Sequence, residues 1–275
     1  MALSKRVALV TGASSGMGKA FVKALLTEGL VVYAGARRLD RMADLKQLGA
    51  VVSKLDITCQ DDLDMVAARI NKEHGRVDVL INNAGFAMYG AVEDTSIDDA
   101  RYQFEVNLFG AARLTQLLLP GMRMRRSGTI INISSVGGRI YSLLGAWYHA
   151  TKHALEGWSD CLRIELAPFN INVVIIEPGV IATDFGNLVP GPMLERSGSG
   201  PYRDAARAVA STFKTAYATD AASDQQVIVR LVLDAIRSKK PRIRYVGGKF
   251  SKLAPFLRRW LGDRLFDRIV LKGTK

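Results

Sequence analysis

The stretch V-A-L-V-T-G-A-S-S-G-M-G, residues 7–18, decides how the chain is read. Four apolar residues make a short strand, the glycines make a turn, and residues 19–28, closing at Gly29, continue as a helix. Gly12, Gly16 and Gly18 let the backbone fold sharply and approach a pyrophosphate, whose charge is favoured at a helix N-terminus; Ser14, Ser15 and Met17 complete the turn. The spacing G-x-x-x-G-x-G differs from the G-x-G-x-x-G dinucleotide fingerprint. It also misses a Walker A loop, which would need glycine at Ala13 and Ser or Thr at Ala20. On this stretch alone, a glycine turn without any ligand stays open.

Working outward, apolar and β-branched runs at residues 30–36, 51–55, 77–81, 129–133, 172–177 and 242–246 predict strands. Helical patterns separate them at residues 61–74, with Asp61 as a cap, at 98–126 as one long helix, at 148–168 and at 224–238. That alternation predicts an α/β fold, a doubly wound parallel sheet of the Rossmann type with helices on both faces. Residues 183–220, rich in Gly, Pro, Ser and Ala, predict a long irregular excursion suited to a substrate lid. No Pro/Gly/Ser-rich linker divides the chain. The organisation expected is one domain over residues 1–250 and a basic amphipathic extension over 251–275.

The net charge of +12 is concentrated: residues 237–275 hold 13 Lys/Arg against 2 Asp/Glu, leaving +1 for the rest. A nucleic-acid partner for the whole protein is therefore not expected. Cys59 and Cys161 form no C-x-x-C pair, which argues against metal binding and a disulfide framework and suits a reducing cytoplasm. The apolar run before the glycine turn is too short for a signal peptide.

After the second strand come Arg37 and Arg38, with no acid until Asp40; arginine here accommodates a 2′-phosphate, so NADP is expected over NAD. Asp56, after the third strand, is placed to accept from an adenine amino group. Asn82, Asn83, Ala84 and Gly85 end the fourth strand with two amides and room for a flat ring. In S-S-V-G-G-R-I-Y-S-L-L-G-A-W-Y-H-A-T-K, residues 134–152, Tyr148 and Lys152 share a helical face, so an ammonium lies beside a phenol and draws its pKa down. Ser135 can steady the same oxygen. The pair Tyr245 and Lys249 repeats the spacing, but two intervening glycines argue against a helix there. Asn107, an amide among apolar neighbours, needs partners and can cap a kink.

Assembled in this order, over roughly residues 5–248, the motifs resemble the short-chain dehydrogenase/reductase family. The resemblance implies a catalytic set of Asn107, Ser135, Tyr148 and Lys152, with Asn107 holding a proton-relay water. It also implies cofactor contacts from the glycine loop, Asp56, Asn83 to Gly85, Tyr148 and Lys152, and from Pro178, Gly179, Ile181 and Thr183 in P-G-V-I-A-T. A likeness to the hydroxysteroid and retinol dehydrogenase side implies an apolar alcohol or ketone, with Phe86, Tyr141, Leu143, Leu144, Trp147 and Phe185 as pocket candidates. Two alternatives stand beside it: a 3-oxoacyl thioester reductase, and a non-catalytic NADP-sensing regulator on the same fold. Homodimers or homotetramers through the two long helices are implied. In the tail, Phe256, Leu257, Trp260, Leu261, Leu265, Ile269 and Val270 recur near helical spacing among Arg258, Arg259, Arg268 and Lys272. They read either as a helix packed over the pocket or a subunit interface, or as peripheral membrane contact.

Overall fold

The computed structural model describes residues 5–218 and 221–272. In chain order its elements are β1 (Val7–Thr11), α1 (Gly16–Thr27), β2 (Val31–Ala36), α2 (Ala43–Gln47), β3 (Val51–Lys54), α3 (Gln60–His74) and β4 (Val79–Asn82). Then come α4 (Ile97–Phe104), α5 (Gly110–Arg125), β5 (Gly128–Ile133), α6 (Ala146–Leu166) and β6 (Ile171–Pro178). The chain continues through α7 (Phe185–Leu188), α8 (Pro190–Ser197), α9 (Arg203–Ala216), α10 (Gln226–Arg237), β7 (Arg244–Gly247), α11 (Leu253–Leu261) and α12 (Asp263–Lys272).

All seven strands pair in parallel in the order β3-β2-β1-β4-β5-β6-β7. The chain first winds outward from β1 to β3, then restarts at β4 on the other side of β1. The turns after β1 and β4 therefore diverge and leave a crevice at the sheet's C-terminal edge, where doubly wound sheets bind ligands. Alternation along the strands builds a core on each face. Ala8, Val10, Val79 and Ile81 pack with Phe21, Val22 and Leu25 of α1 and Ile228 and Val232 of α10. Val7, Leu9 and Leu80 pack with Leu63 and Val66 of α3, Leu114 and Met122 of α5 and Leu162 of α6. Burial on both faces is why these strands read as continuous apolar runs.

Three expectations are corrected. The long helix over residues 98–126 is broken by a widened π turn at Glu105–Phe109. There Asn107 turns inward, and a side chain on Gly110 would strike the Ile57 carbonyl at 2.4 Å. Asp61 does not cap α3; it lies in the first turn, and its neighbour Asp62 accepts from the Asp56 backbone N–H at 2.8 Å. Residues 183–218 are mostly helical. Pro190 and Pro192 occupy the first turn of α8, where a missing N–H costs nothing, and the buried Met193, Ala206 and Val209 dock α8 and α9 together. Thr219 and Asp220, at the end of that excursion, lie outside the described residues, as do 273–275 of the extension.

Candidate active site

Between the β1 and β4 turns lies a cavity of ≈ 590 Å³. Gly12, Ser14, Ser15, Gly16, Met17 and Gly18 form one wall, Arg37, Arg38 and Asp56 another, and Asn83, Ala84 and Gly85 a third. The turn is locked from below. The Thr11 hydroxyl accepts from the backbone N–H groups of Asn83 and Ala84 at 3.0 Å each, and Asn83 Nδ2 donates to the Thr11 carbonyl at 2.9 Å. At Gly18 an added Cβ would sit 2.3 Å from the Gly12 carbonyl and 2.5 Å from Asn83 Nδ2, so no other residue fits without rebuilding the turn. Ser15 stands at the N-terminus of α1 without a side-chain cap, so the first helical N–H groups face the cavity. A glycine cradle beneath an uncapped helix N-terminus fits the diphosphate of a dinucleotide.

Arg37 donates to the Tyr102 hydroxyl at 3.1 Å and Arg38 to Ser14 at 3.3 Å, so both guanidinium groups stand at the cavity's rim. Asp56 spends one carboxylate oxygen on the backbone N–H and hydroxyl of Thr58, at 3.0 and 2.8 Å. Thr183 lines the cavity opposite the glycine turn. Pro178, Gly179 and Ile181 do not line it. Gly179 N–H is tied to the Gly247 carbonyl at 2.8 Å, and the Ile181 side chain is buried in the core.

Asn107, Ser135, Tyr148 and Lys152 do not themselves line the cavity; Asn107 and Lys152 stand directly behind Gly85 in its wall. A Cβ built on Gly85 would lie 3.2 Å from Asn107 Oδ1 and 3.8 Å from Lys152 Nζ. Tyr148, Lys152 and Glu156, successive turns of one face of α6, are all buried. Lys152 Nζ donates to the Ile133 carbonyl at 2.9 Å. Ser135 accepts from Gly137 N–H at 3.0 Å, which leaves its own proton to donate toward Tyr148. Asn107 is fully engaged: its Oδ1 accepts from Phe86 N–H at 3.0 Å, and its Nδ2 donates to the Phe86 carbonyl at 2.9 Å and Thr151 Oγ1 at 3.0 Å.

The electrostatics correct one expectation. Burial pushes the Tyr148 phenol up to about 12, with the Ser135 hydrogen bond opposing it, and Lys152 is not among the causes. Burial also brings Lys152 down to about 8, against the raising effect of Glu156. In this protein, then, desolvation outweighs charge pairing, and Tyr148 is held as the neutral phenol.

Over Tyr148 lies an aromatic roof. The rings of Tyr89 and Phe185 each lie 5.9 Å from it, and Phe185 faces Tyr217 at 6.0 Å. Of the pocket candidates, Phe86 and Phe185 line the cavity, while Leu143 and Leu144 join the roof cluster without lining it. Tyr141 does neither: it points to α12, donating to Asp267 at 2.7 Å. The indole nitrogen of Trp147, another candidate, is buried without a hydrogen-bond partner.

Sequence reading missed a network beside Tyr148. His149 hydrogen-bonds the Gly137 carbonyl through Nδ1 and Ser142 through Nε2, both at 2.8 Å, and Tyr89 meets Ser142 at 3.3 Å. Burial lowers the His149 pKa and keeps the imidazole neutral. A second cluster also escaped: Arg244 bridges Glu156 and Glu177 at 3.0 Å each and Asp160 at 2.6 Å, while Arg139 reaches Glu177 at 3.1 Å. No local motif marks either, because their members come from separate segments. Among the described residues, no group of three His, Cys, Asp or Glu side chains is placed to hold a metal ion.

The short chain dehydrogenase family model matches residues 6–190. A 3-ketodihydrosphingosine reductase from Bacteroides thetaiotaomicron is 37% identical over 184 residues, 66% of this chain and 66% of that relative. An NADPH-dependent 3-dehydrocapnine reductase from Ornithobacterium rhinotracheale is 32% identical over 291 residues, 98% of each. A solved short-chain dehydrogenase from Streptomyces avermitilis superposes with a TM-score of 0.75 and 34% identity, covering 100% of both chains. Because the family match starts just before the glycine turn and runs past Lys152, on a sheet wound as this one is, the chain belongs to the short-chain dehydrogenase family of oxidoreductases.

Proposed function

We propose that the protein is an NADP-dependent reductase of an apolar, lipid-like ketone, running the secondary alcohol/ketone pair in the reducing direction at neutral pH. The observation that carries this is the placement of Asn107 and Lys152 directly behind Gly85 of the cavity wall, with Tyr148 one turn before Lys152 on the same buried face of α6 and hydrogen-bonded by Ser135. The nicotinamide, when bound, supplies the hydride. Tyr148 donates the proton to the carbonyl oxygen, and a phenol raised to about 12 is in the acid form needed for that step. Ser135 donates a hydrogen bond to the same oxygen and fixes its position. Lys152 carries positive charge next to the transfer and helps hold the ribose. Asn107 supports the relay by pinning Phe86 to Thr151 on α6.

The glycine turn, Asn83 to Gly85 and Thr183 hold the cofactor, with Pro178, Gly179 and Ile181 setting Thr183 from behind. Arg37, helped by Arg38, selects the 2′-phosphate, and Asp56 keeps one oxygen for the adenine side. Support for NADP comes from the relative named as NADPH-dependent. Support for a lipid-like ketone comes from the aromatic roof and from the relative that reduces 3-ketodihydrosphingosine. Exposed Leu117 and Met124 on α5 and Ile164 on α6 favour a homodimer or homotetramer through these helices. Peripheral membrane contact through residues 251–275 would suit such a substrate.

The test is NADPH oxidation against ketones of increasing apolar chain length. Rising kcat/KM with chain length is expected. Oxidation confined to 3-oxoacyl thioesters would favour the thioester reductase, and cofactor binding without any turnover would favour the sensor.

A further inference from the structure

The last two helices, α11 and α12, meet at Gly262, whose φ of 70° lets the chain reverse. Of their large apolar residues Phe266 alone is buried, packed edge-on against Tyr141 with ring centroids 5.2 Å apart. Arg258 lies over the Tyr141 ring at 4.9 Å, and Tyr141 donates to Asp267 at 2.7 Å. The hairpin is thus held on the body by a small, specific contact.

Most of the other large apolar side chains on the hairpin and just before it face outward, with Leu257 and Val270 half-buried. Phe250, Leu253, Phe256, Trp260, Leu261, Leu265, Ile269 and Leu271 are all exposed, which makes 8 of the 21 exposed large hydrophobics among the described residues. Leu253, Phe256 and Trp260 follow at three and four residues and share a face of α11; Leu265 and Ile269 do the same on α12. Scattered exposed leucines need no explanation, but a concentration on one hairpin does.

The charge says what covers it. Residues 250–272 carry Lys252, Arg258, Arg259, Arg264, Arg268 and Lys272 against Asp263 and Asp267. Both aspartates are engaged within this contact, Asp263 with Arg258 and Asp267 with Tyr141. A second copy docked face to face would bring two sets of arginines together, which like-charge repulsion opposes. Nucleic acid would satisfy the arginines but leave the aliphatic face in water. An anionic bilayer satisfies both, because apolar side chains enter the acyl boundary while cations meet the headgroups.

We propose that the α11–α12 hairpin is a docking surface for anionic lipid bilayers, with Leu253, Phe256, Trp260, Leu265 and Ile269 entering the interface and Arg259, Arg264 and Arg268 meeting phosphate headgroups. Its anchor, Tyr141, opens the segment that runs through Leu143 and Leu144 of the roof into α6 at Tyr148, so docking sets the substrate side of the site beside the lipid. This deepens the lipid-like substrate reading and rests on it for its purpose. The binding itself needs no turnover.

The full-length protein is sedimented with vesicles of phosphatidylglycerol mixed with phosphatidylcholine, and with phosphatidylcholine alone. Co-sedimentation with the anionic vesicles is expected, weakened by about tenfold or more on neutral vesicles, in high salt, or in the Phe256→Ser/Trp260→Ser variant. That variant should retain the wild-type circular dichroism melt and the wild-type kcat on a short, water-soluble ketone. Wild-type protein left in the supernatant, undiminished binding by the variant, or a variant that dissociates into smaller oligomers would each overturn the proposal. Vesicle binding with no preference for long-chain ketones would instead retain the docking surface and remove the substrate reading.

Discussion

Lys152 sits where a charge is costly. Its pKa falls from 10.5 to about 8 because burial strips water from the ammonium, a difference worth about 3 kcal/mol against the folded state. The folded value lies below the free one, so between about 8 and 10.5 the unfolded chain binds more protons, and stability rises with pH in that window. Urea denaturation of wild type and Lys152→Met across this range should show the wild type gaining about 3 kcal/mol on the variant as pH rises. A constant gap would mean that the ammonium is solvated. The Tyr148 contribution, lost as pH climbs from 10 toward about 12, is common to both chains and cancels. At the cavity's rim, Arg37→Ala should weaken NADP binding by about tenfold while leaving NAD unchanged, as titrations of both would show. Equal loss for both cofactors would move the selection elsewhere.

At the scale of elements, two junctions hold the site's shape. Asn107, in the π turn between α4 and α5, satisfies both polar groups of the Phe86 backbone and reaches Thr151 on α6. Asn107→Ala leaves the Phe86 N–H without its partner, while the Phe86 carbonyl keeps Gln103 Nε2 at 3.3 Å, and a loss of about 1–3 kcal/mol in unfolding free energy is expected, together with a lower kcat. Unchanged stability would make Asn107 purely a relay residue. Arg244 ties β7 to α6 and β6 through Glu156, Asp160 and Glu177. Its replacement by Met leaves buried carboxylates facing one another, and chemical denaturation should report a loss of about 3 kcal/mol or more. A loss below about 1 kcal/mol would mean that Arg139 suffices. Strand periodicity and the Tyr148 to Lys152 spacing made the sheet and α6 legible in sequence, since each rests on neighbours within one segment. Asn107 was legible as a residue able to cap a kink, but its partner was not, because Phe86 lies 21 residues away. The helices of residues 183–218 were hidden by prolines and glycines that punctuate them and do not prevent them.

Across the whole molecule, winding outward from β1 and restarting at β4 brings the glycine turn, the Arg37 and Arg38 rim and Asn83 to Gly85 to one edge of the sheet. The glycine turn, Arg37, Arg38, Asp56, Asn83 to Gly85 and Thr183 stand in local motifs and line the cavity, whereas Pro178, Gly179 and Ile181, read from a motif in the same way, do not. Residues assembled by the fold could not be named from sequence: Tyr89, Ser142 and His149 meet from two distant stretches, and Phe266 is an inward anchor in a tail that mostly faces out. Nor could spacing foresee that burial would outweigh the ammonium at Tyr148. No helix among the described residues is long and apolar enough to cross a membrane. The central claim, that Tyr148 hands its proton to a carbonyl oxygen behind Gly85, is tested most directly by single-turnover NADPH oxidation in Tyr148→Phe, with cofactor binding measured in parallel. The account predicts unchanged NADPH affinity and a rate lower by about a thousandfold; a rate within a few-fold of wild type would contradict it.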